Sequence, residues 1–259
     1  MKKTLSQPAQ KMIDHYEHLH IGNKKIRCPY FNNKKTNVRA ALRVLVGKGT
    51  PKNIEEEALI ISLKNKIDLT ELDKKTLRTF LIDHNLGIDC SGFVYHVLDA
   101  ELQATKKSSL KKTLTFPFAK NFIRKSISKL RSVENTNVKT LAHEKNSKKI
   151  PLQEIMPGDM ITMIGTGQQH DLDHVLLVTE VETTDKKNIP TKITYTHALQ
   201  WKTDGKYNHG IKSGTITVTN TKKLLITQTW EEDGEKTKEK NETYWRAKTA
   251  NTLEIRRLI

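Results

Sequence analysis

Residues 87–96 read GIDCSGFVYH and hold Cys90, one of two cysteines in a chain of 259 residues. The run reads as the start of a helix over Asp89–Leu102. Asp89 is a good N-cap, because its carboxylate accepts from the free N–H groups of a first turn. Phe93, Val94, Val97 and Leu98 then recur at helical spacing and need a core to face. Cys90 therefore falls at the first helical position. There the positive end of the helix dipole favours a thiolate, so the sequence predicts a lowered thiol pKa. Ser91 and Gly92 keep bulk away from the sulfur, leaving room for a carbonyl whose oxygen would meet the Cys90 amide. An isolated cysteine is more often a small buried hydrophobe, and only a partnering base makes this one a nucleophile.

The base must come from elsewhere in the chain. His174 opens the β-branched run HVLLVTEVE, read here as a strand with His174 as its first residue. The next run, TKITYTHALQ, places Ile193, Tyr195, His197 and Leu199 on one face by period two. Antiparallel pairing across TTDKKNIP would make His174 and His197 neighbours. His197 would then fix the tautomer of His174 and leave its other nitrogen for the sulfur. Either histidine alone is equally well read as a satisfied core residue.

Around this centre the texture divides in two. NVRAALRVLVGKG (37–49) sets Val38, Leu42 and Leu45 on one helical stripe that stops at Gly47 and Gly49. Thr50 and Pro51 open a second helix, and TELDKKTLRTFLIDHNLG a third, with a capping-box pattern from Thr70 to Asp73. After residue 150 the runs GDMITMIG, HVLLVTEVE, TKITYTHALQ, GTITVT, KLLITQTW and TLEIRRLI read as short strands. EEDGEKTKEKNE, between two of them, reads as an exposed hairpin loop. Helices first and an antiparallel sheet second make an α+β arrangement. The expected organisation is one domain over 1–259: a helical N-terminal elaboration over 1–86, then a core over 87–259 with a basic insertion at about 101–149.

The formal net charge is +16, and residues 101–149 hold thirteen Lys/Arg against Glu101, Glu134 and Glu144. Such a surface is drawn to anionic polymers: nucleic acid, acidic membrane or anionic cell-wall material. Phe116, Phe118 and Phe122 are the only aromatic residues in this basic stretch, and no nucleic-acid reader motif is present. No apolar run is long enough to span a bilayer, and the start MKKTLSQPAQ has positive charge without a signal peptide's apolar centre. With two cysteines and no disulfide framework, the expected location is cytoplasmic. HDLDH (170–174) and HYEHLH (15–20) carry metal-ligand residue types but lack paired-cysteine or His-Glu-x-x-His spacing, so no metal or cofactor is expected. VGKGT lacks the leading glycine of a phosphate loop, since Leu42 stands in its place.

Taken in order, GIDCSGFVYHVL, PGDMITM, DHVLLVTEV and YTHAL resemble the NlpC/P60 superfamily of papain-like cysteine peptidases. The resemblance implies a papain-like fold, with the cysteine's helix packed on a C-terminal antiparallel sheet. It also implies cleavage of amide bonds, commonly in bacterial cell-wall peptides, through a thioester. Cys90 matches the nucleophile, His174 the general base and His197 the residue that orients it, while Gly158 and Asp159 match a structural strand start. Ser91 is expected beside the substrate. The family's tyrosine before the cysteine has its nearest likeness in RCPYFNN, which would put Tyr30 at the substrate site, although the family's Trp-Gly-Gly is missing. The same chemistry would serve an acyltransferase acting on a lipid or thioester, and a non-catalytic relative would bind an anionic polymer.

Overall fold

The computed structural model of the chain describes residues 1–33, 42–184, 188–232 and 241–259. In the first half lie β1 (Lys2–Thr4), α1 (Gln7–Glu17), β2 (Leu19–Ile21), β3 (Lys24–Ile26), α2 (Pro51–Lys64), α3 (Lys74–Asp83) and α4 (Cys90–Lys106). The basic segment holds α5 (Leu110–Thr113), α6 (Phe122–Leu130), α7 (Ser132–Asn135) and α8 (Val138–Ala142). β4 (Ser147–Lys149), β5 (Met160–Thr166), β6 (Leu172–Thr183), β7 (Pro190–Leu199), β8 (Gly210–Thr217), β9 (Thr229–Glu232), α9 (Glu242–Thr249) and β10 (Thr252–Leu258) follow.

The fold is α+β. One eight-stranded antiparallel sheet runs in the order β4-β10-β5-β6-β7-β8-β9, and β1 pairs with the far half of β6. Strand alternation sorts the sheet's side chains into two cores. Val175 and Leu177 of β6 pack with Cys90, Phe93 and Val94 of α4 on one face. Leu176 and Val178 join Tyr195, Ile216 and Trp230 on the other, beneath α9. Leu5, Tyr16, Leu19, Ile54 and Leu77 belong to the same core as Cys90, so the described part of the first 86 residues packs as part of that body.

The start of α4 is fixed from outside the helix. Asp89 Oδ1 accepts the Gly92 N–H at 2.6 Å, the cap the sequence predicts. Gly47 and Lys48 lie across this turn: the Asp89 N–H donates to Gly47 O at 3.0 Å. Lys48 Nζ donates to Asp89 Oδ1 at 2.8 Å, Ser91 Oγ at 2.6 Å and Thr136 O at 2.9 Å, which uses all three of its protons. His96, one turn further along α4, donates from Nε2 to Lys48 O at 3.0 Å. Gly92 is where this strap passes closest. A Cβ there would stand 2.9 Å from Ile88 Cδ1 and 3.0 Å from Gly47 O.

Several local expectations shift. Val38 lies outside the described residues, and the described end of the expected first helix is a single 3-10 turn, Val44–Val46, closed by Gly47 at φ +72°. The backbone there is committed to bridging Ile88 and Asp89, which a continuing helix would forbid. α2 is capped by Thr50 as read, and the Asn53 side chain completes a capping box that the reading did not include. α3 is capped by Asp73, whose Oδ1 accepts the Thr76 N–H at 2.7 Å, whereas Thr70 is held by Asp68. KLLITQTW divides into a 3-10 turn, Leu225–Thr227, and β9. The hairpin expected at 231–242 is overturned: β9 pairs with β8, while β10 pairs with β4 and β5 in the other half of the sheet. Residues 233–240 lie outside the described residues, and Glu242 already belongs to α9, which Asn241 caps.

Removing one member of a buried ion pair strands the other. Lys48→Met is therefore expected to lower the unfolding free energy by about 3–5 kcal/mol, read from urea midpoints. Adding Asp89→Asn, which retains a capping oxygen without the charge, should recover most of that loss.

Candidate active site

Cys90 is 5% exposed at the head of α4. The backbone N–H groups of Val175, in β6, and of Ser91 lie near its sulfur and favour the thiolate. Burial, together with the Asp89 charge, pushes the thiol up to about 12, while Lys48 and the two N–H groups pull the other way. The lowered pKa expected from the helix dipole is overturned, because withdrawing the sulfur from water opposes ionisation more strongly than the helix start favours it.

β6 begins at Leu172, so His174 is its third residue, paired with Met163 before a bulge in the β5–β6 ladder. Leu177 faces Thr196 in the β6–β7 register, and carrying that register on sets His197 diagonal to His174. Diagonal neighbours on one face are within reach of ring side chains. His174 Nε2 and His197 Nδ1 stand 2.7 Å apart, and His197 Nε2 lies 2.6 Å from Glu232 Oε1 of β9. Proton placement follows from the end of the chain. An ionised carboxylate only accepts, so His197 donates from Nε2 and presents the Nδ1 lone pair to the His174 Nε2–H. His174 Nδ1 is left with a lone pair and makes no hydrogen bond to a described residue. Burial, then the neighbouring His197 and Arg246, hold the His174 imidazole well below its ordinary pKa of 6.5. Thiol and imidazole therefore rest neutral, and no hydrogen bond joins them in this structure. The two approach β6 from opposite sides: the histidines share the face of Tyr195, and Cys90 arrives with α4.

Trp201 covers the histidine pair, its ring centroid 4.9 Å from that of His174, and its Nε1 donates to Thr243 Oγ1 at 2.8 Å. Arg246 of α9 stacks over Trp201 with Cζ 4.8 Å from the ring, bonds Glu242 through Nη2 at 3.1 Å, and leaves its buried Nε unpaired. Beside them opens a cleft of about 780 Å³, lined by Gly167, Leu172, Lys202, Glu242, Trp245 and Arg246.

The remaining expected residues divide. Tyr30 bridges Ile88 and so reaches the helix start across an intervening stretch of some 60 residues. Its hydroxyl accepts from Asn32 Nδ2 at 3.1 Å, and burial, with the nearby Cys90 and Asp89 opposing a second negative charge, pushes the phenol pKa up. Ser91, expected beside the substrate, instead turns its hydroxyl inward to Lys48, Asp89 and Thr136 O; its backbone N–H is the part that meets the sulfur. Gly158, at φ +89°, and Asp159, paired with Arg257 at 2.7 Å, form the structural strand start that was read. His170 bonds Gly165 O and Asp173 accepts the Gly165 N–H, so HDLDH shapes a turn. His15 pairs with Glu55 and His18 with Asp14. Cys28 is buried, and desolvation raises its thiol pKa.

Sequence reasoning missed Glu232, Trp201, Lys48 and Arg246. Only Glu232 left a trace: it stands two residues after Trp230, on the buried face of the same strand. No protein-family model matches the chain, and neither curated proteins nor solved structures give a match.

Two buried imidazoles predict acid sensitivity. Burial holds His96 down to about 4 against its ordinary 6.5, and His174 shifts in the same direction. As pH falls, the unfolded chain takes these protons first, so stability declines from pH 6.5 towards 4. His96 alone accounts for about 3 kcal/mol. Urea unfolding across that window should show the decline, and His96→Gln should flatten it.

Proposed function

We propose that the chain is a papain-like cysteine hydrolase that cleaves a peptide amide through a thioester, as its resemblance to NlpC/P60 peptidases implies. One observation carries the reading. The Glu232–His197–His174 chain leaves a lone pair on His174 Nδ1, and the next residue, Val175, has its N–H near the Cys90 sulfur.

With both groups neutral at rest, proton transfer accompanies attack. Cys90 and His174 stand on opposite faces of β6 at rest, so attack requires the start of β6 to rearrange and carry Nδ1 to the thiol, a larger change than the tightening of long substrate-free contacts. The Cys90 sulfur bonds to the amide carbon as its proton passes to Nδ1, and the carbonyl oxygen becomes an oxyanion beside the first-turn amides of α4. Collapse of that adduct breaks the C–N bond, and Nδ1–H protonates the departing amine. Water then gives a proton to Nδ1 and attacks the thioester, releasing the acid and restoring the thiol. His197 and Glu232 stabilise the imidazolium in between. Trp245 offers the cleft an apolar wall and Lys202, Glu242 and Arg246 groups of both signs. That lining suits a peptide carrying free carboxylate and amine groups, as bacterial cell-wall peptides do.

Incubation with peptides and cell-wall muropeptide fragments, read by mass spectrometry, should show amide cleavage with uptake of water. An amine or alcohol in place of water would mark acyl transfer. Cys90→Ala should abolish turnover and His174→Ala should lower kcat/KM by about 10²–10⁴-fold. Glu232→Gln should give a smaller loss. Cleavage that survives in Cys90→Ala overturns the proposal.

A neutral resting pair has its own consequence. Alkylation of Cys90 by iodoacetamide should rise about tenfold per pH unit through roughly pH 9, following the thiolate fraction. A plateau near neutrality would reveal a preformed thiolate–imidazolium pair instead.

A further inference from the structure

Helix α6 wears its apolar face outward. At about 100° per residue, Phe122, Ile123, Ile127 and Leu130 fall within an arc of about 140°. None of the nine residues of α6 is buried, and Phe122 is 81% exposed, Ile123 67% and Leu130 68%. Phe118, just before the helix, is exposed as well. Lys129 flanks this face beside Phe122 and ties the helix to the body, its Nζ donating to Lys112 O at 2.9 Å and Leu114 O at 2.7 Å. Around the apolar ridge stand exposed Lys111, Lys112, Lys120, Arg124, Lys125 and Lys145. From Leu102 to Val133 the sequence contains no acidic residue. Next to the helix a cleft of about 460 Å³ runs between Leu114, Phe116, Pro117 and Phe122, with Lys125 and Lys145 at its rim.

We infer that α6 is an interfacial anchor that lays Phe122, Ile123, Ile127 and Leu130 into the surface of an anionic lipid bilayer while the flanking lysines meet the headgroup phosphates. The arrangement has the two components such binding needs: a contiguous apolar face to insert and a single-sign basic border to attract. A nucleic acid would engage the border but leave the aliphatic ridge facing phosphate and water. A second copy of the chain would set lysines against lysines. The inference does not depend on the chemistry at Cys90.

The test uses the whole chain with vesicles of phosphatidylcholine alone or with roughly a third phosphatidylglycerol. Cosedimentation is expected with the anionic vesicles and only weakly with the neutral ones. The paired substitutions Ile123→Asp and Ile127→Asp should weaken binding by at least roughly 100-fold. Arg124→Gln with Lys125→Gln should weaken it by roughly 25-fold, and unfolding midpoints should stay unchanged because all four side chains are exposed. In Phe122→Trp, indole emission should shift to the blue on adding anionic vesicles. Absence of cosedimentation overturns the inference. So does binding that the aspartates leave intact, which would indicate adsorption by charge alone, or a self-association that the aspartates abolish. Equal binding to DNA, competed by vesicles and insensitive to the aspartates, would assign the surface to nucleic acid and likewise overturn it.

Discussion

A lysine taken out of water, with its charge answered by one carboxylate, governs the middle of this molecule. Lys48 reaches Asp89 from a loop more than forty residues upstream, and the same carboxylate caps the helix that carries Cys90. Neither group tolerates burial alone. The ion pair thus binds three pieces of chain into one geometry: the strap at Gly47–Lys48, the first turn of α4 and the loop at Thr136. Gly92 is small because the strap passes over it. Here the helix start is held by neighbours that local propensity says nothing about.

The same burial that makes the ion pair strong also sets the character of the sulfur. A helix start favours a thiolate, yet the enclosed sulfur is held near 12, and the imidazole beside it is pushed the other way. Two neutral groups in a dry site avoid the desolvation that a resting ion pair would suffer. The cascade through His197 to Glu232 places the nearest carboxylate two hydrogen bonds from His174.

What could be read in the sequence was what local rules encode. Asp89 before an apolar ladder announces a capped helix, and alternation around His174 and His197 announces two strands with those rings on one face. Both are short-range patterns, and both appear in the structure. Lys48 was invisible because it sits in a Gly-Lys-Gly run whose meaning depends on Asp89, 41 residues later. Glu232 was hidden at the head of a charged run that reads as solvated surface, although its own side chain is buried. The error over Ser91 has the same root. A serine beside a candidate cysteine is ambiguous until the direction of its hydroxyl is known, and a buried lysine sets that direction.

The carbonyl of Thr136 belongs to the basic insertion, yet it completes the hydrogen bonding of Lys48 beneath Cys90. An insertion that only decorated the surface could be trimmed to leave a smaller working domain. This one supplies a part that the centre lacks without it. A minimal domain designed by joining the end of α4 directly to β4 would orphan a buried ammonium proton. The stretch from 107 to 146 is therefore a component of the scaffold.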